Sequence, residues 1–289
     1  MSFSGEVKEE LARHISPARH CQIAELAAMM NYCGQYGRDS EGNYTIGFQM
    51  ENEAARRKGF TLLKKTYNID TGAGVSKEQM QELLSKLGNL EEPVSHLLLK
   101  NSCCQRAFLR GAFLSIGSIS DPRKGYHMEF VCTTQEKAKR LQSVIQGFDI
   151  DAKIVLRKKY YVVYLKEGSG IVDLLNVCEA HVSLMKLENL RILKEMRNSI
   201  NRRVNCEAAN ITKTVNAAAR QIEDIEYIRD HYGFQNLPDN LRQMAEVRLE
   251  NPDAPLKELG EYLEPPVGKS GVNHRLRKLS EIAERIRIK

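Results

Sequence analysis

The densest chemistry-bearing stretch of the sequence lies near its end, where Lys269, Ser270, Asn273, His274, Arg275, Arg277 and Lys278 fall within ten residues. Val272, Leu276, Leu279 and Ala283 recur at the spacing of one apolar helix face. With that face inward, the wheel turns Asn273, His274, Arg277 and Lys278 outward and sets Lys269 and Ser270 at the helix start, with Ser270 as its cap. These side-chain types suit a DNA major groove. Arginine pairs with guanine O6 and N7, asparagine with adenine and lysine with phosphate, and a helix N-terminus also favours phosphate. Arg275 flanks the apolar face and is assigned to the DNA backbone. From Lys269 to Lys289 there are seven basic residues against two acidic ones, whereas a merely solvated face usually mixes both signs.

A second basic group, Arg157, Lys158 and Lys159, is consecutive and sits between two apolar runs that read as a hairpin. Its charges are either a solvated tip or secondary phosphate contacts. The seven cysteines show no CxxC spacing, and none of the seven histidines stands at zinc-ligand spacing from a cysteine or acid, so neither metal nor cofactor is expected. Cys33, Cys132 and Cys178 lie in apolar runs, where a reduced cysteine acts as a small hydrophobe. The adjacent pair Cys103 and Cys104 reads as helix-entry packing, with a redox sensor as the alternative.

Several elements must position these groups. Leu256, Leu259 and Leu263 give a short helix one apolar face, and Pro265, Pro266 and Gly268 break it before the helix bearing Val272. Two such faces packed across a sharp turn make a helix-turn-helix over 256–279. Upstream, one helix is predicted over 185–200, continuing through Arg203. A second is predicted over 208–231, with Ile211, Val215, Ala218, Ile222 and Ile225 on one face, and a third runs from Leu237 and Pro238 to about 250.

The first two-thirds of the chain carry strands as well. Leu26 to Gly34 and Leu109 to Gly117 align residue for residue as apolar helices rich in small residues, each followed by a glycine past its end, where a left-handed C-cap is expected. Each is followed by a loop (34–43 in the first copy), an alternating stretch (44–50; 126–132) and an amphipathic helix (53–67; 134–148). The second copy adds a hairpin over 152–165 and a helix containing Ile171, Leu174, Leu175 and Val177. The first copy is abbreviated around Gly72 and Gly74.

This repeat resembles the LAGLIDADG homing endonucleases, in which two such helices meet at a pseudo-two-fold axis above a DNA-binding saddle of strands. The resemblance implies an α+β domain of two pseudo-symmetric repeats. In that family the eighth motif position is an acid that holds the catalytic metal. Here the eighth positions are Cys33 and Ile116, and the sixth are Asn31 and Leu114. An isoleucine cannot ligate magnesium, so no enzyme activity is expected. Asp39 and Asp121 read as turn formers, and an active nuclease is the unfavoured alternative.

Across nearly its whole length the sequence resembles the WhiA regulators of bacteria, which join a degenerate LAGLIDADG-like domain to a C-terminal helix-turn-helix similar to the DNA-binding region of sigma factors. The phrases FLRGAFLSIGSISDP, NRRVNCEAANITKTVNAAARQIEDI, LPDNLRQMAEVRLENPDAPLKELGE and GKSGVNHRLRKL carry it. The resemblance implies a sequence-specific transcription regulator linked to sporulation or cell division, acting on double-stranded promoter DNA. Docking to a sigma factor or RNA polymerase is the alternative. The expected domains are two repeats over 1–90 and 91–184 and an all-α domain over 185–289. A net charge of +6 and a pI near 8.8 permit such a partner. No apolar run approaches the roughly 18 residues of a membrane span, so the expected location is the cytoplasm, with the nucleoid.

Overall fold

A computed structural model describes all residues except 1, 41, 72, 73, 89 and 289, so Gly72 and Lys289 lie outside the described residues. It divides into two compact units, Met1–Glu195 and Met196–Lys289.

The first unit opens with α1 (Phe3–Arg13), whose first turn is capped by the Ser2 hydroxyl, which accepts from the Gly5 N–H at 3.1 Å. There follow α2 (Arg19–Cys33), β1 (Gly34–Arg38), β2 (Tyr44–Phe48), α3 (Glu53–Tyr67) and α4 (Lys77–Leu87). Asn52 caps α3, and a reciprocal box of Ser76 and Gln79 caps α4, each supplying partners to N–H groups that a helix start leaves orphaned. The second repeat runs α5 (Ser102–Ile116), β3 (Gly117–Ile119), β4 (Met128–Cys132), α6 (Gln135–Gln146), β5 (Lys153–Arg157), β6 (Tyr160–Leu165) and α7 (Gly168–Val177). Its antiparallel sheet has the order β3-β4-β6-β5, whereas among the described residues the first repeat has β1 and β2, with an isolated bridge between Tyr44 and Val75. The order of elements repeats, but the described residues of the first copy form no second hairpin.

α2 and α5 pack side by side through small residues. At Gly111 a Cβ would stand 2.5 Å from the Glu25 carbonyl oxygen and 3.0 Å from the Ala28 Cβ, so this crossing leaves no room for a side chain at 111. Phe108, Leu109, Phe113, Leu26, Met29 and Met30 are fully buried around it.

Two local expectations are corrected. Residues from Gly34 onward are not a turn, because Gly34–Arg38 is an edge strand paired in register with Tyr44–Phe48. The second copy likewise enters β3 at Gly117 without a loop. The terminating glycines are also not left-handed caps: Gly34 has φ −70° and Gly117 φ −80°, both extended. Glycine is needed there for space, since a Cβ at 34 would lie 2.4 Å from the Met30 carbonyl oxygen and one at 117 would lie 2.7 Å from the Phe113 Cα.

The two helices expected over 185–203 and 208–231 are one, α8 (His181–His231). No glycine or proline occurs between those ends, so nothing in the backbone chemistry breaks it. Within the second unit α8 is followed by α9 (Asp239–Glu250), α10 (Leu256–Glu261) and α11 (Lys269–Ile288). Ile225, Ile228, Leu241, Met244, Leu259, Leu263, Val272, Leu276, Leu279 and Ala283 form their shared core. Ile211 and Val215, on the same helical face as Ile225, are exposed instead.

Candidate nucleic-acid interface

The face of α11 away from the core is set by that core. With Val272, Leu276, Leu279 and Ala283 buried at 0–1% exposure, the residues a half-turn away have only solvent to meet. Lys269, Ser270, Asn273, His274, Arg277 and Lys278 are all exposed, as expected. Ser270 lies inside the first turn of α11 rather than capping it, because the helix begins at Lys269 and the Val272 N–H bonds back to the Gly268 carbonyl at 3.1 Å.

The seven residues do not share one surface. Arg275 is half-buried and turns towards α9, its guanidinium donating to the Asn240 carbonyl at 3.4 Å. Asn273 and Arg277 line an open groove beside α8, facing Lys213, Asn216 and Arg220, and Arg277 Nε also pairs with Glu281 at 3.3 Å. The groove cations Lys213 and Arg220 stand a helical face apart from the Ile225 core, but nothing in the sequence of α11 places that face against Asn273. Farther along, Arg287 is held by Asp224 at 2.9 Å and stacks over the Tyr227 ring at 4.8 Å. Part of the basic excess counted from sequence thus ties α11 to α8.

On the β5–β6 hairpin the turn is only Lys158 and Lys159, with Lys158 left-handed at φ 57°. Arg157 is the last residue of β5 and pairs with Glu129 of β4 at 3.1 Å. Lys159 Nζ lies 5.4 Å from the centroid of the Tyr160 ring. The outward sheet face alternates Glu129 and Val131 on β4 with Lys153, Val155 and Arg157 on β5, a mixture of signs and apolar surface rather than a basic saddle.

The C-terminal ends of α2 and α5 carry no carboxylate in either motif. The Cys33 thiol donates to the Ser115 carbonyl at 3.5 Å, and burial pushes it up against the opposing pull of Lys8 and Lys137. Lys137 is buried and donates to the Asn31 carbonyl at 2.7 Å and the Leu90 carbonyl at 2.8 Å, with burial lowering its pKa. Asp39 and Asp121 act within their own turns, accepting from the Asn43 and Arg123 N–H groups at 2.9 Å. Lys8 and Lys137 stand at this end with Glu51 and Glu91 as their charge partners, so the acids nearby face cations and neither comes from a motif position.

At the other end of the same two helices the structure brings together His20, Cys21, Cys103 and Cys104. Local spacing in the sequence could not show this, because the two pairs are separated by more than eighty residues.

Three family models match successive stretches of the chain: the WhiA N-terminal LAGLIDADG-like domain over 19–83, the WhiA LAGLIDADG-like domain over 105–197 and the WhiA C-terminal HTH domain over 200–283. A "Probable cell division protein WhiA" of Lachnoclostridium phytofermentans is 52% identical, over 99% of this chain and 100% of that one. The chain belongs to the WhiA family. A WhiA relative from Alkaliphilus oremlandii is 48% identical over 99% of this chain and 98% of its own. The crystal structure of full-length DUF199/WhiA from Thermatoga maritima covers 99% of both chains at 28% identity with a TM-score of 0.59. The WhiA architecture is thus a LAGLIDADG-like α+β region of two unequal repeats followed by an all-α helix-turn-helix region. Among the described residues no helix is long and apolar enough to cross a membrane.

Proposed function

We propose that this chain is a sequence-specific DNA-binding transcription regulator, linked to cell division or sporulation, whose LAGLIDADG-like region does not cut DNA. The observation that carries the reading is the exposed face of α11, where Lys269, Ser270, His274 and Lys278 stand free of the core at the start of the second helix of a helix-turn-helix. The first turn of α11 also offers N–H groups without intrahelical partners to a phosphate.

In this reading Lys269 and Lys278 contact phosphates, His274 enters the groove, and Asn273 and Arg277 reach base edges along the side nearest α8. Lys158 and Lys159 add phosphate contacts from the LAGLIDADG-like region. Catalysis is discounted because the motif ends offer Cys33, Ile116 and a buried Lys137 instead of hard oxygen ligands.

A salt titration of binding by the full chain to promoter duplexes tests this. About four to six phosphate contacts give log affinity against log salt a slope of about −4 to −5. A slope near zero would refute DNA contact by these cations.

A second reading, docking to a sigma factor or RNA polymerase, is favoured by one observation. Met196, Ile200, Val204, Ile211 and Val215 expose an apolar row along α8, more than a solvated helix needs. If docking replaced DNA reading, charge reversal at Lys269 and Lys278 would leave DNA binding unchanged.

A further inference from the structure

The first turns of α2 and α5 converge on a set of soft metal ligands. His20 Nδ1 and the Sγ atoms of Cys21, Cys103 and Cys104 all lie within 4.8 Å of one another. His20 Nδ1 is 3.2 Å from Cys104 Sγ and 3.4 Å from Cys21 Sγ. Tetrahedral zinc, with Zn–N about 2.0–2.1 Å and Zn–S about 2.3 Å, requires ligand-to-ligand edges of about 3.5–3.8 Å. Two of the three nitrogen edges are already close to this, and the widest span needs to close by no more than about 1 Å.

We propose that His20, Cys21, Cys103 and Cys104 form a Cys3His zinc site that clamps the two repeats together at the N-terminal ends of their paired helices. The surroundings suit it. Cys21, Ala24, Cys104 and Ala107 form a small apolar floor of their own, each at most 4% exposed. His20 and Cys103 are exposed and leave an entry path. Three thiolates, one neutral imidazole and Zn2+ sum to one negative charge, placed where two fifteen-residue helices present their positive ends.

Without a cation the same packing works against ionisation. Burial, with the neighbouring Cys21 and Cys103 adding to it, pushes the Cys104 thiol up to about 12. Burial raises Cys21 as well. Binding zinc releases three thiol protons to solvent and removes that opposition. The soft sulfur-rich set excludes magnesium and calcium, which take oxygen ligands.

The test uses the full chain kept reduced, loaded with Zn2+, freed of excess metal and analysed by native mass spectrometry and elemental analysis. Co2+ replaces zinc in a parallel sample read by its visible spectrum. About one zinc per chain and the intense bands of tetrahedral cobalt thiolate are expected. Cys103→Ser and His20→Gln change exposed positions, so folding, checked by circular dichroism, should persist. Each should weaken zinc binding by more than the about 10–100-fold that an outer-shell change costs. Cys206→Ser, at an exposed cysteine outside the cluster, should retain the metal. Absence of bound zinc, an octahedral cobalt spectrum, a disulfide within the cluster in the reduced sample, or zinc retained by Cys103→Ser would each overturn the proposal.

Discussion

Arg110 of the second motif helix reaches across the helix pair to Glu25 of the first, with Nε 3.2 Å from Oε1 and both side chains at most 2% exposed. The same Glu25 oxygen also takes the buried Lys58, and the Arg110 guanidinium extends to Glu179. Two cations and two carboxylates therefore balance inside the first unit. Arg110→Met should leave Glu25 to Lys58 alone and Glu179, a third exposed, without its guanidinium, destabilising the protein by about 3 kcal/mol, the lower end for a broken buried pair. Urea unfolding of the variant checks this, and a loss under about 1 kcal/mol would show that water reaches the network.

Gly111 sits one residue beyond that arginine, against the backbone of Glu25. Gly111→Ala gains up to about 1 kcal/mol in helix propensity. Overpacking against a carbonyl that cannot rotate away costs about 1–3 kcal/mol. The cost is the larger, so a net loss on the order of 1 kcal/mol is expected, and Gly111→Val should lose more. Denaturation midpoints of the two variants order the effects.

His14 gives the same network a pH dependence. Its Nε2 is 3.0 Å from Glu179, yet burial first, and then the charge of Arg110, lower its pKa below 6.5. In the window between that lowered value and 6.5 the unfolded chain binds more protons, so stability rises with pH. The His14 contribution is whole above 6.5 and is lost as pH falls through the folded value. Wild type should therefore lose more melting temperature than His14→Asn between about pH 7.5 and about pH 5.

Glu281 is one of the two acids of α11 and holds Arg277. Glu281→Gln should remove repulsion from DNA phosphates and release Arg277, tightening DNA binding several-fold. Lys278→Ala should flatten the salt slope by about one unit. Fluorescence anisotropy over a salt series measures both.

What was legible in the sequence was whatever one helix face carries by itself. Val272, Leu276, Leu279 and Ala283 follow a period of 3.6 and are buried, so the outward exposure of His274 and Lys278 followed. Features made by two distant segments were not legible. Asn273 and Arg277 look outward on a wheel but face α8 residues some sixty positions away, and His20 meets Cys104 only because two helix starts converge. β1 was missed because GQYGR is an exposed edge strand with no apolar alternation to mark it. The continuity of α8 was missed because its middle lacks a buried face, though it also lacks any residue that would stop a helix.

The most direct test of the central claim is binding of the full chain to fragmented genomic DNA with magnesium present, followed by sequencing of the bound fraction, for wild type and for a Lys269→Glu, Lys278→Glu variant. Enrichment of discrete, intact promoter fragments that disappears in the variant is the expected result. Unselective binding, enrichment that survives charge reversal, or cleaved fragments would contradict it.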